Sequence, residues 1–389
     1  MASSVSAASA VSPAVRPQSV PLYDLSRQRE RMAAGIEARV SAVLKHGQFI
    51  LGPEVAELEG RLAEYCGASH AIGVSSGRDA LTMALMAMGV GEGDAVFVPG
   101  FTFSASAASI APLGAVPVFV DVDERSFNLD PAAFEAAIAE VNAAGRLRPA
   151  AVMPVDLYGR PADYPAISAI AARHGVAVLA DAAQSFGGAL GNQQVGAMAP
   201  ITATSFYPTK PLGAYGDGGA IFTQDDSLAE AVLQIRTHGR QGSGDEALRI
   251  GMTGRLDTIQ AAVLLEKLDS FAWEIARRRE IAAAYDEGLR DLVETPLMDG
   301  ASSAWALYTI RVPERDRVRD ALQAAGVGSG LFYRVPLHRH PAFVNWVPEG
   351  LSLPVSERLA DEVLSLPIHA DLNEDEVAYV IEQVRAAVA

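Results

Sequence analysis

Between residues 71 and 223 the chain repeats one pattern: a short apolar run rich in β-branched residues, then a stretch with helical spacing. The runs fall at 71–75, 95–99, 116–120, 150–155, 176–181, 201–206 and 219–223. Helical patterns at 79–88, 104–111, 131–142 and 162–174 separate the first five. Apolar runs without strict alternation belong to strands buried on both faces, and parallel neighbours need a helix-length crossover between them. The pattern therefore predicts an α/β fold, with a mostly parallel seven-stranded sheet covered by helices on both sides.

The flanks differ. Ile36, Val40, Val43 and Leu44 lie at helical spacing, 47–53 interrupts them, and 54–65 reads as a second helix. After the last run come helical patterns at 228–237, 256–268 and 273–292, a strand at 305–312, and helices at 314–325 and 374–388. That loss of alternation predicts a smaller C-terminal α+β domain. A chain of 389 residues also exceeds the size at which one core keeps growing. The expected division is a disordered tail over 1–20, a large domain over 21–270 and a small domain over 271–389. The tail has a single Arg and no apolar run, so it does not read as a signal peptide. The uncharged stretch 95–120 is long enough for a membrane span, but Pro99, Gly100, Pro112, Gly114 and Pro117 divide it into strand, turn, helix and strand.

In open α/β sheets ligands bind beyond the carboxyl ends of the strands. Ser76, Gly77, Arg78 and Asp79 follow the first run and open a helix, where free N–H groups and the helix dipole favour an anion such as phosphate. Phe103 follows the second run, and Asp156, Tyr158 and Gly159 the fourth. The fifth ends on Asp181 with Gln184 three residues on, and the sixth delivers Ser205 and Lys210. Lys210 is the one charged side chain between Asp181 and Asp217. Desolvation there favours the neutral, nucleophilic amine, which bonds carbonyls, and pyridoxal 5'-phosphate (PLP) is the commonest carbonyl cofactor. Asp181 is the candidate partner for a pyridine nitrogen. Each residue also has a plain structural role: solvated loop lysine, N-cap serine, core aromatic, strand-end aspartate. Their convergence on one rim favours the chemical reading.

Two rivals belong to other classes. Residues 73–77 match G-x-S-x-G, which would make Ser75 the nucleophile of an α/β-hydrolase. That serine follows the first strand, too early for such a fold, and the reading leaves Lys210 unexplained. A non-catalytic PLP-binding sensor is the other. No G-x-G-x-x-G follows a strand, so a dinucleotide site is not indicated. Among the seven histidines only His338 and His340 pair in a metal-like way, without acidic or cysteine partners, and no metal is expected. One cysteine, Cys66, excludes an internal disulfide and suits a reducing cytoplasm. A net charge of −16 argues against a nucleic-acid surface.

The segments 47–54, 118–123, 181–185, 205–210, 216–220 and 255–262 together resemble the DegT/DnrJ/EryC1/StrS sugar aminotransferases, from about Leu22 to the C-terminus. The resemblance implies the aspartate-aminotransferase-like PLP fold type I and an enzyme that moves an amino group from L-glutamate to a keto sugar on a nucleotide. It implies Lys210 as the lysine that bonds PLP and Asp181 as the partner of the ring nitrogen. Gln184 would meet the ring oxygen, Ser205, Ser76 and Gly77 the phosphate, and Phe103 the ring face. Homodimers with shared sites are implied, the partner sending in the loop before Arg255. Three positions depart from the family: Arg78 replaces a usual Thr, Thr253 a usual Asn that reaches the phosphate, and Arg334 a common Pro. Residues 208–213 and 249–255 look most like the branch that aminates C3 of UDP-2-acetamido-3-keto uronic acids, with Arg255 the best candidate for the sugar carboxylate, Arg334 and His338 weaker ones, and Tyr333 a further substrate contact. A 4-keto-6-deoxy sugar on dTDP or UDP is the alternative within the family.

Overall fold

Seven strands make the central sheet: β1 (His70–Val74), β2 (Asp94–Pro99), β3 (Val116–Val120), β4 (Arg148–Val152), β5 (Ala177–Asp181) and, after a hairpin of β6 (Ala189–Leu190) and β7 (Gln193–Gln194), β8 (Ile201–Ser205) and β9 (Gly219–Thr223). The computed structural model describes residues 17, 19–242, 244–297 and 299–389. The spatial order is β1-β9-β8-β5-β4-β2-β3. All neighbours from β8 to β3 are parallel, and β9 runs antiparallel to both β8 and β1. The reason is local. No helix lies between β8 and β9, and without a crossover the chain can only return antiparallel.

Helices α1 (Ser26–His46) and α2 (Pro53–Cys66) precede the sheet, and α3 (Gly77–Ala87), α4 (Ala105–Ala108), α5 (Pro131–Ala144), α6 (Tyr164–His174) and α7 (Asp226–Arg236) lie among and after its strands. The helix expected over 104–111 shrinks to the four residues of α4 and a 3-10 turn, Ala111–Leu113. Pro112 cannot continue a helix and Gly114 takes a left-handed φ of 75°, so the chain turns early into β3.

The largest difference lies in α8 (Thr258–Leu289), one helix of 32 residues where two were expected. No proline or glycine occurs before Gly288, so nothing breaks the ladder between 268 and 273. The boundary expected at Phe271 falls inside it. Phe271 and Ile275 pack in the core beside α2 and β9, whereas Tyr285 and Leu289 pack in the C-terminal core.

After β10 (Ala301–Ser302), that second core gathers β11 (Tyr308–Arg311), α9 (Arg315–Ala324), β12 (Val363–Leu366) and α11 (Glu374–Val388), whereas Leu359 and Ala360 of α10 (Pro354–Glu362) pack with Phe101 and Val122. β11 pairs antiparallel with β12, a four-residue strand that the sequence reading missed. β10 instead joins β6, tying this region to the large sheet's hairpin. The expected tail lies outside the described residues except for Pro17, Ser19 and Val20. Val20 is fully buried and bridges Val327. Arg27 then pairs with Glu376 at 2.5 Å and Arg31 with Glu274 at 2.8 Å, clasping α1 to α11 and α8.

Candidate active site

At the carboxyl ends of the strands a cavity of about 660 Å³ opens. Its wall includes Ser76, Gly77, Arg78, Phe103, Asp181, Gln184, Ser205, Lys210 and Tyr333, nine of the twelve residues expected to serve a site.

β5 ends on Asp181, which is buried. One carboxylate oxygen accepts from Ser106 Oγ at 2.8 Å and the other from the Ala183 N–H at 3.2 Å. Burial pushes this carboxyl up, and the Ser106 hydrogen bond, the Ala183 N–H and the nearby Lys210 charge oppose that. Lys210 follows β8 on a turn closed by its N–H donating to the Tyr207 carbonyl at 2.8 Å. Part of its surface faces the open cavity while protein surrounds the rest. Burial brings its amine down to about 8, with Asp181 opposing. An amine near 8 is available as acid and as base at neutral to mildly alkaline pH.

Ser76 caps α3, its hydroxyl accepting from the Asp79 N–H at 3.0 Å. The first N–H groups of a helix have no partner within it, so those of Gly77 and Arg78 offer themselves to an anion. A Cβ on Gly77 would come within 2.6 Å of Ser205 Cβ, so glycine is what lets this helix start lie against the end of β8. Arg78 lines the cavity and donates to the Ala108 carbonyl at 3.1 Å. Gln184 is held at both ends. Its amide oxygen accepts from the Tyr158 N–H at 2.7 Å and its amide nitrogen donates to the Tyr333 hydroxyl at 3.1 Å. Phe103 stands half exposed over the cavity, its ring 5.9 Å from that of Tyr333.

Three expected residues lie elsewhere. Thr253 is exposed, with its hydroxyl 3.3 Å from His238 Nε2. Arg255 bridges Val74, and its Nε is buried without a partner among the described residues. His338 is buried 2.9 Å from Glu357, an acidic partner that the sequence reading did not find. Ser75 lines the cavity, yet its hydroxyl donates to Asp79 at 2.6 Å, and no histidine lines the wall to activate it.

Tyr23, Ser106 and Tyr207 line the cavity and were missed. Nothing in the sequence marks Ser106, since its role depends on α4 lying beside the end of β5. Asp156, noted only by position, is fully buried next to Asp181. It takes hydrogen bonds from Ser185 Oγ at 2.6 Å, the Tyr164 hydroxyl at 2.8 Å and the Ala162 N–H at 2.8 Å, and burial pushes it up to about 7.

The donor set fits PLP. A buried carboxylate suits a protonated ring nitrogen, a desolvated amine suits an aldehyde, and a glycine-opened helix start beside Ser205 suits a phosphate. No cluster of metal-ligating side chains occurs among the described residues, and no described helix is long and apolar enough to cross a membrane.

A UDP-2-acetamido-2-deoxy-3-oxo-D-glucuronate aminotransferase of Pseudomonas aeruginosa is 46% identical over 356 residues, covering 91% of this chain and 96% of its own. A DegT DnrJ EryC1 StrS aminotransferase from Brucella abortus has the same fold, with a TM-score of 0.93 at 47% identity over 95% of this chain and 100% of that one. NtdA from Bacillus subtilis, solved with bound cofactor PMP, has a TM-score of 0.86 at 28% identity over 96% of this chain and 86% of that one. The sequence profile of one family matches residues 30–385, nearly the whole chain, and the protein belongs to that family, the DegT/DnrJ/EryC1/StrS aminotransferases.

Proposed function

We propose that this PLP-dependent sugar aminotransferase moves the amino group of L-glutamate to C3 of a UDP-linked 2-acetamido-3-keto uronic acid. The observation that carries the reaction is Lys210, its amine brought down to about 8 by desolvation, on the same cavity wall as Asp181. The relative of 46% identity, named for that 3-keto glucuronate, supports the substrate.

When bound, PLP supplies a carbonyl for the amine and a ring that withdraws electrons from the donor's α-carbon. The chain's residues do the rest. Lys210 Nζ would bond the cofactor at rest and, once freed, carry the proton away from that α-carbon. Asp181, oriented by Ser106, would keep the ring nitrogen protonated. Ser76, Gly77 and Ser205 would hold the phosphate, Gln184 would donate to the ring oxygen, and Phe103 would cover the ring and exclude water. Donor and acceptor use one cavity in turn, so kinetics should be ping-pong.

The sugar carboxylate needs a cation. Arg255 is the residue we assign, because no described residue pairs with its half-buried guanidinium, whereas His338 is engaged by Glu357 and Arg334 is exposed. Arg255 does not line the cavity of its own chain, which favours a homodimer with shared sites. Apolar side chains beside its segment support this: Phe49, Ile50 and Leu51 are exposed, Ile50 bridges Asp257, and Ile250 is 84% exposed. A guanidinium should favour a carboxylate over a neutral methyl by about 1.5–3 kcal/mol. Turnover with glutamate against a panel of keto-sugar nucleotides tests the reading. Preference for the 3-keto uronate, eroded by Arg255→Met, is expected; efficient amination of a 4-keto-6-deoxy sugar by the wild type overturns it.

A further inference from the structure

A second, smaller chamber of about 20 Å³ adjoins the main cavity and shares Tyr23, Thr209 and Lys210 with its wall. Its remaining lining comes from Pro208 on the Lys210 turn, Asp24, Leu25 and Gln28 at the N-terminal end of the chain, Glu274 and Arg278 of α8, and the segment 368–371. Three parts of the chain that are remote in sequence therefore meet behind one lysine.

Most polar groups in this wall are satisfied. Glu274 accepts from Gln28 Nε2 at 2.9 Å and from Arg31 at 2.8 Å, Asp371 accepts from Arg31 at 3.1 Å, and Arg278 Nη1 donates to the Trp305 and Ile368 carbonyls at 2.9 and 3.1 Å. Four atoms on the lining residues are buried with no hydrogen-bond partner among the described residues: Gln28 Oε1, Arg278 Nε, and both ring nitrogens of His369. Burying such a group without a partner is costly, so four around one chamber point to a partner that the protein itself does not supply. The volume matches a single water, which needs roughly 10–15 Å³ and two to four polar partners.

The chemistry also separates water from an anion. Gln28 Oε1 can only accept, Arg278 Nε can only donate, and a neutral imidazole does one of each. Burial and the Arg278 charge hold His369 down to about 4, which keeps the ring neutral. Arg278 and Lys210 would attract an anion, but it would meet the amide oxygen and the bare ring nitrogen with repulsion, and Asp24, Glu274 and Asp371 are also in the wall. Water alone both donates and accepts.

We infer that this chamber is a buried hydration site and that His369, through the water it binds, is a positioning residue for the Lys210 turn and the N-terminal segment carrying Tyr23. The second part rests on Lys210 being the cofactor lysine; the first does not.

A crystal structure of the holoenzyme at about 1.5 Å tests the site directly. Ordered density within hydrogen-bond distance of His369 and Arg278 is expected. A chamber without density, or a His369 ring turned onto a protein partner, overturns the proposal. The positioning role is read from the pH at which the cofactor's visible absorbance changes in the loaded enzyme. His369→Leu removes both polar atoms and should lower that pH by about half a unit or more, because the lysine loses a polar neighbour. His369→Gln keeps a donor and an acceptor and should restore the wild-type value. Equal behaviour of the two variants, or no shift in either, overturns the positioning role even if the water is present. Should the leucine variant not fold, the glutamine variant and the wild-type density decide. A wild type with no visible cofactor band would instead sink the role given to Lys210 and leave the chamber standing.

Discussion

Burial acts on Lys210 and Asp181 in opposite directions, pushing the amine down and the carboxyl up, and each opposes the shift of the other. Lys210→Ala should therefore abolish amino transfer, by at least about a hundredfold, while leaving the cavity intact; retention of wild-type turnover would remove it from the reaction. Ser106→Ala is the more discriminating change. It deletes the 2.8 Å hydrogen bond to Asp181 and should cost roughly tenfold in turnover, about 1.4 kcal/mol, with little change in the KM for the sugar. Turnover unchanged by this variant would show that Asp181 needs no such support. The lysine also predicts a pH effect on stability. Its amine is near 8 in the folded apoprotein against 10.5 unfolded, so across that window the unfolded state binds more protons. The cost of the buried ammonium is full below about 8 and gone above 10.5. Urea denaturation of apoprotein should thus show wild type gaining on Lys210→Met as pH rises from 8 to 10.

Two helices do work that their composition does not announce. α3 begins where a Cβ on residue 77 would strike Ser205, so Gly77→Ala must separate the helix start from the end of β8. The expected outcome is PLP affinity weaker by about tenfold or more, measured by titrating apoprotein, with a smaller loss of stability. α8 carries residues of two cores on one unbroken ladder. Ala272 is exposed at its middle, so a proline there removes a hydrogen bond and clashes with the preceding turn without touching either core directly. Ala272→Pro should cost about 3 kcal/mol or more in denaturant melts. Near-neutral behaviour would mean that two helices meet at that point.

At the scale of the molecule, the cavity draws on both ends of the chain: Tyr23 from before α1, the sheet rim in the middle, and Phe332 and Tyr333 from beyond α9. Arg255 stands outside that wall beside an exposed apolar strip, and the proposed homodimer brings it to a neighbour's site. Mixing Lys210→Ala chains with Arg255→Ala chains checks this. Hybrids should recover activity that neither parent has; no recovery would argue for sites built within one chain.

Periodicity alone was enough for the sheet, because strands buried on both faces leave continuous apolar runs and parallel pairing demands helices between them. The same rule brought residues 76, 103, 181, 184, 205 and 210 to one rim, since each ends a strand or follows one within five residues and the backbone decides where it must emerge. Chain length and lost alternation marked a second core but not its seam, because a helix without proline or glycine crosses it unseen. Tyr23, Ser106 and the orphaned nitrogens of His369 were not legible. Their roles come from segments remote in sequence packed side by side, and nothing local in a tyrosine, a serine or a histidine records what it will be packed against.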